Sequence, residues 1–278
     1  MIPALRQHWP EYLMEAAALG MFMISAALFT ALLEYPGSPA HAAVPNGDVR
    51  RALIGLAMGL TAVGLIYSPW GQQSGAHMNP ATTVTFLRLG KVKPWDALFY
   101  IIAQILGGTV GVLMSKLLLG EVIAHPSVSY VVTVPGPAGA GVAFAAEVII
   151  ACGMMFMVLL VTNIPRLARF TGLFAGVLVF LYITFEAPLS GMSINPARTV
   201  ASAWPSGIWT SGWVYFTAPV LGMLLAAQVY LLTTHSCPHA CPKLQHGAKQ
   251  RCIFCGHPGE VRIVEPVAPT AKTAVNSL

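Results

Sequence analysis

The chain has 278 residues, of which 56% are hydrophobic and only 9% charged, with a mean hydropathy of +0.69 and a formal net charge of +5. A soluble domain carries roughly 25% charged residues, so this chain cannot cover a water-facing surface and reads as an integral membrane protein. Its positive charge sits in loops and tail, where it reports orientation across a bilayer; nucleic acid is not the expected partner.

The first apolar run covers 12–33. At roughly 20 residues it is long enough to span a bilayer and too long for the apolar core of a signal peptide. A retained span is therefore expected, despite the cleavage-like Ala40-His41-Ala42. Further runs follow at 52–68, 97–119, 141–161, 170–185 and 214–233, all rich in Gly and Ala. Such small residues let helices approach closely in lipid. The second and fifth runs are short, which leaves their ends open.

Between these spans a hexapeptide recurs. Asn79-Pro80-Ala81-Thr82-Thr83-Val84 and Asn195-Pro196-Ala197-Arg198-Thr199-Val200 agree at five of six positions and lie 195 − 79 = 116 residues apart. Asn is a favoured helix N-cap and Pro a favoured first helical residue. Each copy should thus start a helix, at 80–89 and 196–202, too short to cross a membrane. Both starts lie inside hydrophobic sequence, so they read as half-membrane helices entered by re-entrant loops. Irregular backbone at that depth is tolerated only where protein buries it or water lines it.

The order is span, span, half-helix, span, then a loop at 120–140, then the same again. Three crossings per half is an odd number, so the halves must be inverted relative to each other. The expected organisation is an N-terminus at 1–10, a membrane domain at 11–235 with repeats at 11–119 and 141–234, and a tail at 236–278. The polar loop 125–137 joins the halves. Arg6, Arg88, Lys91, Lys93, Arg166, Arg169 and the tail residues Lys243, Lys249, Arg251, Arg262 and Lys272 fall on one side. Arg50, Arg51 and Lys116 fall on the other. The excess of Lys and Arg places both termini in the cytoplasm. The half-helices then enter from opposite sides and point their N-termini at one another.

Duplicated Asn-Pro-Ala on six spans resembles the aquaporin, or major intrinsic protein, family, in its bacterial type. The resemblance covers about residues 10–235 and is carried by Ser74-Gly-Ala-His-Met-Asn-Pro-Ala81 and Ser190-Gly-Met-Ser-Ile-Asn-Pro-Ala-Arg198, with one early-span glutamate per half, Glu15 and Glu147. It implies an all-α membrane fold of six transmembrane helices plus two half-membrane helices in an inverted repeat. It also implies a homotetramer with one pore per subunit, in a bacterial inner or plasma membrane. Function follows as passive conduction of water and small neutral solutes, with no cofactor and no enzyme chemistry.

In that frame Asn79 and Asn195 donate to solute at the midplane, where two positive helix ends repel cations. Pro80, Ala81, Pro196 and Ala197 complete the turns. Arg198 belongs to the selectivity filter; an ordinary interfacial Arg is the plainer alternative. By offset, the other filter positions are Gly59, Ile183 and Met192, with simple helix packing as the alternative for the last two. Water-selective members place an aromatic and a His at the first two of these. Glycerol conductors usually carry Asp where Thr199 stands. This chain departs from both patterns, so a glycerol or other small-polyol facilitator stays open beside the water channel. Glu15 and Glu147 are expected to hold the re-entrant loops. His77 lines the cytoplasmic mouth or makes a plain loop hydrogen bond, and Glu186 marks the interface, with binding to outer-loop backbone as the alternative.

The tail carries Cys237, Cys241, Cys252 and Cys255 in C-x3-C and C-x2-C pairs, with His239 and His257 as alternates. Two close Cys pairs suit tetrahedral zinc; a flexible tail with free thiols is the other reading. Residues after Glu260 are Pro/Ala/Thr-rich and expected to be disordered. Functional rivals are an ion-coupled secondary transporter, which also uses inverted repeats, a membrane enzyme, and a zinc-sensing tail that gates the pore. No H-E-x-x-H occurs, and Gly71-Gln-Gln-Ser-Gly75 has the wrong spacing for an intramembrane serine protease.

Overall fold

The computed structural model describes residues 1–234, 241–247 and 249–259. Cys237, His239 and the stretch after Glu260 lie outside the described residues. The α-helices, in chain order, are α1 (Ile2–Glu34), α2 (Pro39–Ala43), α3 (Gly47–Tyr67), α4 (Pro69–Ser74), α5 (Pro80–Arg88), α6 (Pro94–Leu119), α7 (Ala140–Thr162), α8 (Thr171–Leu181), α9 (Ala187–Ser190), α10 (Pro196–Ser206) and α11 (Gly212–Thr234). Among the described residues, six segments are long and apolar enough to cross a membrane: Ile2–Glu34, Gly47–Tyr67, Pro94–Ala124, Ala140–Thr162, Ala168–Ser190 and Gly212–Thr234. The two half-helices are α5 and α10, and the expected inverted repeat is present.

The ends differ from expectation for physical reasons. α1 starts at Ile2, not near Tyr12, so residues 2–10 are helix rather than a separate terminus. Arg6, His8 and Glu11 interrupt the apolar run there and hid the helix. α3 begins earlier than the apolar run because Asn46 caps it, accepting from the N–H groups of Asp48 and Val49. Arg50 and Arg51, which broke the run, are satisfied locally: Arg50 pairs with Glu34 at 3.1 Å and Arg51 with Asp48 at 2.8 Å. The fifth span continues past Leu181 through a widened turn over Tyr182–Glu186 into α9.

The first and third spans of each half pack as a pair, α1 on α6 and α7 on α11, and α3 packs on α8 across the halves. Two glycines set the closest approach. A Cβ on Gly107 would lie 2.1 Å from the Ala16 carbonyl oxygen, and one on Gly222 would lie 2.4 Å from that of Val148. These residues are 222 − 107 = 115 apart, so the same crossing is built twice. Both half-helices pack against α6 and α11.

Candidate functional site

The two re-entrant loops are built by one local recipe. In the first, Gly75 (φ +103°), Ala76 (φ +54°) and Met78 (φ +48°) adopt left-handed backbone; in the second, Gly191 (φ +83°), Met192 (φ +52°) and Ile194 (φ +45°) do the same. Left-handed backbone is costly for non-Gly residues and persists only where the surroundings fix it. A buried carboxylate fixes it in each half. Glu15 accepts from the N–H groups of His77 (3.0 Å) and Met78 (2.6 Å), the Ser74 hydroxyl (2.8 Å) and the Gln104 amide (2.8 Å). Glu147 accepts from the N–H groups of Ser193 and Ile194 (both 2.6 Å) and the Ser190 hydroxyl (2.8 Å). Tyr100 and Tyr215 close the arrangement by donating to the carbonyls of Ser74 and Ser190.

The tips of the half-helices meet through the two asparagines. Asn79 Oδ1 caps α5 by accepting from Ala81 N–H, and Asn195 Oδ1 caps α10 by accepting from the N–H groups of Ala197 and Arg198. Each amide nitrogen then crosses to the other half. Asn79 Nδ2 donates to the Ile194 carbonyl and Asn195 Nδ2 to the Met78 carbonyl, both at 2.7 Å. A carboxamide nitrogen has two protons, so each Asn keeps one beyond this exchange. Both residues line a cavity of about 570 Å³.

That cavity runs between the two loops and reaches α1, α3, α7 and α8. Arg198, Ile183 and Met192 line it. Arg198 is partly buried, and its Nη1 is shielded from solvent with no hydrogen-bond partner among the described residues. Gly59 is a correction. It does not line the cavity: a Cβ there would meet the Gly176 carbonyl oxygen at 2.5 Å, which makes it part of the α3–α8 contact. The cavity face of α3 is Ile54, Met58, Ala62 and Ile66, one residue every fourth position. Gly59 sits about 100° round the helix from Met58. Gly59→Ala is therefore expected to cost about 1–3 kcal/mol through overpacking and to leave solute selectivity of the folded protein unchanged; thermal unfolding in detergent and solute flux check the two halves of this statement.

Several lining elements escaped the sequence reading. The 120–139 loop is more than a hinge, since Pro126, Ser127, Val128, Ser129, Val131, Val132 and Val134 line the cavity and the Thr133 hydroxyl meets that of Thr199, in the second half-helix, at 3.2 Å. Glu186 is nine-tenths buried, and neither oxygen has a hydrogen-bond partner among the described residues. Tyr100, Tyr215, Ser74, Ser190 and Gln104 were not singled out. The serines left a signal in their spacing of 190 − 74 = 116, equal to the hexapeptide offset, and the tyrosines a weaker one in 215 − 100 = 115.

His77 stands at the opposite end of the cavity from that loop, with Nε2 2.6 Å from the Pro242 carbonyl and Nδ1 3.1 Å from the Thr83 hydroxyl. A carbonyl only accepts, so Nε2 carries the proton and Nδ1 accepts. The partner Pro242 belongs to the tail, which folds back onto the face where α1 begins: Arg251 grips Glu11 with two hydrogen bonds of 2.7 Å. Within the tail Cys241, Cys252 and Cys255 converge, but with His246 as the fourth group, their candidate ligand atoms all within 4.8 Å of one another. The expected fourth member, Cys237, lies outside the described residues. The hydrogen bond from Cys241 pulls the Cys252 thiol down to about 4, against the opposing effect of burial, and the same bond pushes Cys241 up.

Comparison with known proteins places these features in context. A profile described as Major intrinsic protein matches residues 5–230. Aquaporin NIP1-1 of Zea mays is 34% identical over 192 residues, covering 67% of this chain and 64% of that protein. Aquaporin NIP6-1 of Arabidopsis thaliana is 34% identical over 206 residues, covering 73% and 65%. The chain thus spans just under two thirds of the length of these relatives. Both are plant proteins, so the bacterial type expected from the sequence gains no support from them. Among solved structures, the aquaglyceroporin from Plasmodium falciparum superposes with a TM-score of 0.69 at 23% identity, over 81% of this chain and 96% of that one; the fold is shared.

Proposed function

Because the chain belongs to the major intrinsic protein family, we propose that it is a passive transmembrane channel for water and small neutral solutes. The observation that carries this is the exchange between Asn79 and Asn195, which brings two half-helix tips to one point on a continuous cavity. Each tip presents about half a positive charge, and each Asn offers one remaining proton. A chain of waters must turn its oxygens toward that point from both sides, which breaks the uniform alignment that proton hopping needs. Cations meet two positive ends and the Arg198 guanidinium.

The same cavity argues for solutes beyond water. The cavity that Arg198 lines is walled in part by Ile54, Met58, Ile183 and Met192, which offer no hydrogen-bond donors. A small polyol could place its CH face on these walls and its hydroxyls on Arg198. That is the chemistry of a glycerol-type facilitator, and the relatives' names fit both solutes. An ion-coupled transporter fits less well, since Glu15 and Glu147, the carboxylates it would use, are spent on loop backbone. The reading is of a channel and not an enzyme, and conduction in it draws on no cofactor.

We place both termini in the cytoplasm on the distribution of Lys and Arg, and the 120–139 loop outside. Family membership supports a homotetramer with one pore per subunit, in an inner or plasma membrane. Stopped-flow swelling of proteoliposomes under water, glycerol and urea gradients tests the whole: water flux above bare liposomes is expected, with measurable glycerol flux. Arg198→Ala should raise the glycerol-to-water ratio about threefold or more, because removing the filter's bulkiest side chain widens it for the larger solute by more than the lost donors set it back.

A further inference from the structure

We propose that Cys241, His246, Cys252 and Cys255 form a tetrahedral site for a thiolate-preferring divalent cation of the zinc class, and that the bound ion holds residues 241–247 and 249–259 as a plug in the mouth of the cavity beside His77. The plug half of this rests on the channel reading above; the metal half does not.

The geometry of the ligands comes first. A tetrahedral zinc with Zn–S of about 2.3 Å and Zn–N of about 2.0–2.1 Å places its sulfurs roughly 3.8 Å apart. Here the Cys241 and Cys252 sulfurs are 3.3 Å apart, His246 Nε2 is 3.3 Å from the Cys255 sulfur, and all four ligand atoms fall within 4.8 Å. Small movements admit an ion. Cys252-Ile-Phe-Cys255 turns through Gly256 at φ +76°, and Gly256 N–H donates to the Cys252 carbonyl, a tight knuckle that presents two sulfurs to one side. Three thiolates and a neutral imidazole around a divalent cation leave one negative charge, and Lys243, Lys249 and Arg251 lie in the same segment. Binding displaces up to three thiol protons to solvent and requires no redox partner.

The same short loop that begins at Cys241 closes the mouth. Leu244 lines the cavity, and its N–H donates to the Gly75 carbonyl at 3.1 Å. Lys243 is 2% exposed, with its ammonium donating to the carbonyls of Gln72 (2.8 Å) and Arg251 (3.1 Å). Phe254, from inside the Cys252–Cys255 knuckle, stacks on the His77 ring at 5.8 Å between centroids and 9° between planes. A segment this short has too little apolar area to fold alone; a metal is the usual supplement at this size. The ligands Cys241, His246, Cys252 and Cys255 alternate along the segment with the residues that seat it, Pro242, Lys243, Leu244 and Phe254, so loss of the ion should release the mouth.

Full-length protein purified without chelator is expected to carry about one zinc per chain; less than about a tenth of an equivalent overturns the site. In proteoliposomes, stripping with a membrane-permeant chelator should raise solute flux about threefold or more and added zinc should reverse it. The double variant Cys252→Ser, Cys255→Ser should lose the metal and conduct as stripped protein does. Lys243→Ala should keep the metal yet leak, because it loosens only the seat. Retained zinc in the double variant, or a wild-type flux unmoved by stripping, overturns the proposal. If no variant conducts at all, the channel reading fails by itself. Zinc content and tryptic cleavage after Lys243, protected with metal and rapid without it, still decide whether the metal folds the tail.

Discussion

Glu15→Gln is expected to destabilise the protein by about 3 kcal/mol or more and to empty its first re-entrant loop of order. Glu15 is fully buried and accepts four hydrogen bonds, two of them from the backbone of left-handed or adjacent residues. Glutamine keeps one oxygen for Ser74 and His77 but turns an NH2 toward the Met78 N–H and the Gln104 amide, donor against donor. Hydrogen bonds to a charged group contribute about 1.5–3 kcal/mol each, and two are lost. With about 2–4 °C of midpoint per kcal/mol for a chain of this class of size, thermal unfolding in detergent should fall by roughly 6–12 °C. An unchanged midpoint would mean that the carboxylate is not what holds Met78 at positive φ.

Asn195→Asp is expected to cut water permeability about tenfold or more. The change keeps the cap of α10, since Asp accepts from Ala197 and Arg198 as Asn does. It replaces Nδ2 by an oxygen 2.7 Å from the Met78 carbonyl, where two acceptors now face each other. Leaving that carbonyl without its donor costs about 1–3 kcal/mol, and a tenfold change in rate corresponds to about 1.4 kcal/mol. The new negative charge also offsets the positive helix ends, so cation leak should appear where the native protein has none. Stopped-flow light scattering reads the first effect and liposome conductance the second. Full water flux without leak in this variant would remove the midplane role from the proposed mechanism.

The features legible in the sequence were those written locally and twice. Asn-Pro-Ala encodes a cap and a first helical turn within three residues, so both half-helices and their opposed orientation followed from spacing and from an odd number of crossings. Glu15 and Glu147 stood out because a carboxylate in an apolar run is costly. The Tyr100 and Tyr215 hydroxyls did not stand out, because a tyrosine in a span is ordinary and its acceptors, Ser74 and Ser190, are about 25 residues away. Gly59 was misplaced by a single step of helical phase, which composition cannot resolve. His246 was passed over in favour of histidines closer to the Cys pairs, since nothing in a tail without periodicity says which side chains fold together. Loop 120–139 read as a connector because its place on the cavity depends on contacts with the second half-helix rather than on its own residues.

The exchange between Asn79 and Asn195 bears on how such a protein is made. Whichever half emerges first leaves a lone amide and a lone carbonyl deep in hydrocarbon, with no water to answer them. Its tip can settle only when the second half arrives, so the conduction path is a product of their union and of neither alone. Two separately synthesised halves, inserted in opposite senses in one membrane, would be expected to find each other and complete the same narrow point.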